Sequence, residues 1–127
     1  MKWDEAADIR QSLEHILPRI DMPYIDMSHL RCFRSFGSTS RARARIWSFP
    51  KIWQQALKLP PHYVIEVISE RFDTLSTDDK TRVLIHELLH IPKNFSGALR
   101  PHKMHKWRLN DRLVETYFKE YKSSTWS

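Results

Sequence analysis

The sequence predicts a domain that mixes helices with a few short strands, and three observations carry that reading. Apolar residues near the N-terminus recur at helical spacing, residues 63–68 form a compact β-branched run, and a capped apolar helix follows near residue 77. At 127 residues the chain is long enough for a real core, and one domain spanning 1–127 is expected.

Trp3 to Ile16 reads as an amphipathic helix, because Ala6, Ile9, Leu13 and Ile16 share a face and Pro18 stops the run. Asp, Pro and Ser between 21 and 28 predict a turn, with a strand at about 29–36. Gly37-Ser38-Thr39-Ser40 reads as a hairpin turn leading into Arg41-Ala42-Arg43-Ala44-Arg45-Ile46-Trp47. As a strand, that segment turns its arginines to water and Ala42, Ala44 and Ile46 to the core. As a basic patch, the same arginines suit phosphates. Trp47, Phe49 and Trp53 are expected in the core or in a groove wall. Pro50 opens a short helix through Leu57, which Pro60-Pro61 ends. Tyr63-Val64-Ile65-Glu66-Val67-Ile68 is the best strand of the chain, and its edge is a candidate for pairing with an extended peptide. The last helix is predicted over about 103–122, with Leu109, Leu113 and Phe118 inward and Tyr117 partly so.

The chemistry concentrates in Val83-Leu84-Ile85-His86-Glu87-Leu88-Leu89-His90-Ile91, an HExxH motif among apolar residues. Glu and His each occur seven times, so a chance match is expected only about 0.02 times in a chain this long. Ser76-Thr77-Asp78-Asp79 supplies an N-cap and first-turn acids, so the helix begins near 77, and Pro92 ends it just past His90. Histidines four apart on a helix share a face and aim at one ion. Glu87, about 100° around the axis from His86, stands close enough to hold a water without ligating. A catalytic zinc takes three protein ligands plus water. Pro92 and Gly97 allow the chain to fold back, and His102, His105, Asp111 and Glu115 all qualify as the third.

Bulk numbers narrow the surroundings. Cys32 is the only cysteine, which excludes an intrachain disulfide and a cysteine-based zinc site; a buried small hydrophobe is the expectation for it. The net charge of +6 is uneven: residues 31–60 carry seven bases and no acids, and residues 91–127 eight bases and three acids. These basic segments make nucleic acid a candidate partner. No run is long enough for a membrane span, and Met1-Lys2-Trp3-Asp4-Glu5 does not resemble a signal peptide, so a cytoplasmic location is expected.

From Phe72-Asp73-Thr74-Leu75-Ser76 through the HExxH helix to Ile91-Pro92-Lys93, Ser96-Gly97 and Leu99-Arg100-Pro101-His102, the chain resembles the metallopeptidases of phages and archaea. More loosely it is similar to SprT/Spartan-type and other minimal zincin domains. The resemblance implies a small α+β fold with a short, mainly antiparallel sheet, the motif helix beneath it and one closing helix. It also implies a Zn2+ cofactor held by His86, His90 and His102, Glu87 as general base, and a protein or peptide substrate. Alternatives for the third ligand remain: His105 follows His90 by 15 residues, closer to the Spartan gap than the 12 of His102, and Glu115 would make a gluzincin-like set. The metzincin pattern is absent, since Lys93 and Ser96 stand where it needs Gly and His. Arg100 and Tyr117 are further candidates for stabilising an oxyanion, against ordinary roles as a surface cation and a core aromatic.

Overall fold

A computed structural model describes residues 1–124. Its order is β1 (Lys2–Glu5), α1 (Ala7–Ile16), β2 (Leu30–Phe36), β3 (Ala44–Trp47), α2 (Lys51–Leu57), β4 (Tyr63–Ile68), α3 (Ser69–Phe72), α4 (Thr77–Leu89), β5 (Lys103–Met104), β6 (Trp107–Arg108) and α5 (Asp111–Ser124). The class is α+β. Four strands form one sheet in the order β1-β2-β4-β3, antiparallel at both outer pairs and parallel between β2 and β4. Among the described residues no helix is long and apolar enough to cross a membrane.

Alternation along β4 sets the layers. Tyr63, Ile65 and Val67 are fully buried, and with Ile9, Leu13 and Ile16 of α1 and Leu84, Ile85 and Leu88 of α4 they form the core. Each such side chain contributes about 1.5–3 kcal/mol by leaving water. The opposite face of β4 carries Val64 and Glu66. There Trp3, Phe33 and Trp47 wall a shallow apolar recess around the Glu66 carboxylate. Burial alone would raise the Glu66 carboxyl, but hydrogen bonds from the Trp47 indole and Arg45 oppose it, and the group is held below its ordinary value.

Several expectations change here. The first turn of the predicted N-terminal helix is a strand, β1, paired with β2 from Lys2↔Phe36 to Glu5↔Phe33. The helix itself starts at Ala7. Gly37–Ser40 does not close a hairpin, because β4 inserts between β2 and β3. β4 is therefore central, and the edges belong to β1 and β3. Trp47 lines the recess, whereas Trp53 is more than half exposed on α2 and belongs to no core. In the C-terminal segment, a two-residue hairpin (β5–β6) occupies 103–108 and the helix begins at Asp111, capped by Asn110 Oδ1 accepting from the Leu113 N–H at 3.0 Å. Val114 is buried on it with Phe118, while Leu113 and Tyr117 are half-buried.

Candidate metal centre

α4 positions the first two histidines. Ser76 Oγ accepts the Asp79 N–H at 3.1 Å, and Asp78 and Asp79 lie in the positive first turn. Four residues of pitch then bring the His86 and His90 rings to 5.2 Å between centroids. His90 is the C-cap and keeps helical backbone angles, so its ring stays on the same face as His86.

The chain beyond α4 supplies the third. Ile91 is buried, and the loop that follows is pinned at Gly97, whose φ of +93° suits glycine. A Cβ there would overlap the Phe49 carbonyl and the Gln54 side-chain amide. Gly97 donates its N–H to the Tyr63 hydroxyl at 2.8 Å and accepts the Phe49 N–H at 2.8 Å. The Tyr63 hydroxyl donates to the Ala98 carbonyl at 2.7 Å. Gln54 Nε2 donates to both Phe49 and Ser96 carbonyls. α2 and β4 thus fix where residues 98–102 run.

That path presents the Arg100 backbone to His90. The Arg100 N–H donates to the His90 carbonyl at 2.6 Å, and His90 Nδ1 donates to the Arg100 carbonyl at 2.6 Å. A carbonyl only accepts, so the proton sits on Nδ1 and Nε2 keeps its lone pair. Two residues on, His102 sets its Nε2 3.2 Å from His86 Nε2, with its ring 4.7 Å from that of His90. One donor atom from each of His86, His90 and His102 lies within 4.8 Å of the others. Nitrogens on a tetrahedral zinc at 2.0–2.1 Å stand about 3.3 Å apart. The His86–His102 pair meets that spacing, and ring rotation would draw in the third.

The electrostatics suit a cation as well. Burial, reinforced by the neighbouring His90 and His102 and opposed by Asp111, lowers His86 to about 4. Burial also lowers His90, against the hydrogen bond to Arg100. Both imidazoles are neutral at pH 7, as ligands must be. Glu87 is 7% exposed, its Oε2 lies 4.0 Å from His86 Nε2, and burial raises it to about 8. A dication beside it would reverse that balance and favour the carboxylate.

Other sequence candidates lie elsewhere. His105 is exposed in the β5–β6 turn, and Glu115 is held by Arg82 Nε at 3.0 Å. The Arg100 guanidinium donates to the Leu89 carbonyl and lies 4.1 Å over the Trp107 ring, capping α4 instead of facing the histidines. Tyr117 stands among Asp21, Glu120 and Arg100. Sequence reasoning missed the Arg100 carbonyl as the orienter of His90, and no residue type signals a backbone acceptor.

Two cavities flank Glu87 along β3. One, of about 500 Å³, is bounded by β3, α4 and α5; the other, of about 320 Å³, by β3, His90, Leu99 and His102. Ala44, His86 and Glu87 border both, so a groove passes the centre beside the sheet edge.

Three convergent imidazoles beside a groove form a donor set that could hold a metal ion, with a desolvated carboxyl group next to it. The chain belongs to the family described as putative phage metallopeptidase, whose family model matches residues 1–123. No significant match was found among curated proteins or among solved structures.

Proposed function

We propose that the protein is a zinc-dependent peptidase in which His86, His90 and His102 hold the ion and Glu87 is the general base. The convergence of the three imidazoles next to a buried carboxyl group carries this reading. When bound, the ion supplies a Lewis acid that polarises the scissile carbonyl and acidifies water. Glu87 takes a proton from the attacking water as the carbon–oxygen bond forms. It returns that proton to the departing amine nitrogen as the carbon–nitrogen bond breaks. The Arg100 carbonyl holds the His90 tautomer through the cycle.

β3 takes the role expected of the strand at 63–69. It is the sheet edge bordering the groove, so an extended peptide would pair with its free backbone groups and pass Glu87. The test is cleavage of denatured casein by zinc-loaded protein against Glu87→Gln. The variant is expected to bind zinc normally and to lose about 10²–10⁴-fold in kcat/KM. Equal cleavage by both proteins would remove Glu87 from the reaction and end this reading.

A further inference from the structure

The larger cavity beside Glu87 has two kinds of wall. Ala44, Val83 and Val114 make part of it aliphatic, and the remainder is ionisable. Arg82 is already engaged there: Nε and Nη2 donate to the two Glu115 oxygens at 3.0 and 3.3 Å, and Nη1 donates to Asp79 at 2.9 Å. Its guanidinium also lies 4.1 Å over the Phe118 ring. The trio therefore keeps a surplus negative charge. Asp111, the first residue of α5, adds another. Among the described residues no hydrogen bond or ion pair engages its carboxylate, and its field reaches His86. Arg43 supplies the opposing charge from the β3 side. Leaving Glu87 aside, three acids and two cations line the cavity, inside a protein whose net charge is +6.

We propose that this cavity takes a lysine or arginine side chain of the substrate, next to the scissile bond, with Asp111 as the specificity-determining residue. The inference rests on the peptidase reading and names the class of peptide that the site prefers. A long basic side chain has both parts the cavity asks for: methylenes for Ala44, Val83 and Val114, and a cationic head for the acidic rim. The volume of about 500 Å³ holds an arginine side chain with water to spare. A glutamate side chain would add a negative charge to a rim where acids already outnumber cations by one.

Asp111 also occupies a helix first turn, where an acid is favourable to the helix alone. Selectivity separates the two roles, because helix stabilisation moves the melting temperature and not the choice of peptide. The experiment uses zinc-loaded Glu87→Gln protein and Ala-Ser decapeptides with one central Lys, Leu or Glu, with affinities measured by calorimetry. The Lys peptide is expected to bind at least tenfold tighter than the Glu peptide, and Asp111→Asn to shrink that ratio below twofold. The global charge favours the opposite order, so a Lys preference reports the cavity itself. Equal affinities, a preference for Glu, no measurable binding of the Lys peptide, or a ratio unchanged by Asp111→Asn each overturns the proposal. Cleavage of the same peptides by the unsubstituted protein keeps the two readings apart. Lys-selective binding without any cleavage sinks the peptidase reading alone, and cleavage without selectivity sinks this one alone.

Discussion

Gly97→Ala tests how the third histidine is held. The substitution forces an L-residue to φ near +93° and drives its Cβ into the Phe49 carbonyl and the Gln54 amide. The conformational term costs about 1–2 kcal/mol. Relief of the overlap breaks at least one of three hydrogen bonds: Phe49 N–H to Gly97, or Gln54 Nε2 to Phe49 or Ser96. Each loss costs about 0.5–1.5 kcal/mol. The sum is about 2–4 kcal/mol, which for a chain of this size lowers the melting temperature by roughly 10 °C. The same shift moves the Arg100 carbonyl and His102 relative to α4, so zinc affinity falls at least tenfold. Circular dichroism melts and a competitive zinc titration read the two effects. Gly37→Ala is the control, since Gly37 also has positive φ (+78°) but its Cβ would meet only ordinary contacts with the Met1 backbone, and no histidine. It is expected to cost about 1–2 kcal/mol and to leave zinc binding unchanged. If Gly97→Ala melts within 2 °C of the natural sequence, or weakens zinc no more than Gly37→Ala does, the clamp is not what sets the position of His102.

Replacing His102 with Ala should lower zinc affinity by about 100-fold or more, whereas His105→Ala and Glu115→Gln should leave it unchanged; the competitive titration that shows His105 dominating would reassign the third ligand. Because the Glu66 carboxyl is held below its unfolded value, its contribution to stability is present above about pH 4.5 and is lost as the pH falls through the lowered value. Glu66→Gln should therefore destabilise by about 1–3 kcal/mol at pH 7 and by much less at pH 3, as urea melts at the two pH values would show; an equal loss at both would remove the charge from the explanation. Burial raises the Cys32 thiol to about 11, so Ellman's reagent at pH 8 should find no reactive thiol until guanidinium unfolds the chain, and rapid labelling of the folded protein would contradict its placement.

Where a segment carried its own signal, the sequence was a sufficient guide. β4 runs Tyr63–Ile68 as its β-branched residues predict, α2 follows Pro50, and α4 starts after the Ser76 cap. β1 escaped notice because all four of its residues are exposed and only pairing with β2 makes them a strand. The Gly37–Ser40 turn misled because adjacency along the chain does not reveal that a later strand takes the place between two earlier ones. β5 and β6 are two residues each, too short for any periodicity, and the helix reading of 103–110 filled the gap. His86 and His90 declare themselves by spacing on one helix. His102, His105 and Glu115 could not be separated that way, since the choice rests on a loop geometry fixed by Gly97, Tyr63 and Gln54 from three distant places.

Among the described residues no strand pairs with the outer side of β3, which makes that edge a template for any stretched-out polypeptide, including copies of the chain itself. The residues around that strand temper the hazard. Arg41 and Arg43 precede it, so two molecules zipping together through this border would bring guanidinium groups towards each other. A visitor that brings no matching row of arginines meets no such barrier. The chain thereby keeps its border open to strangers while discouraging its own kind from clumping there.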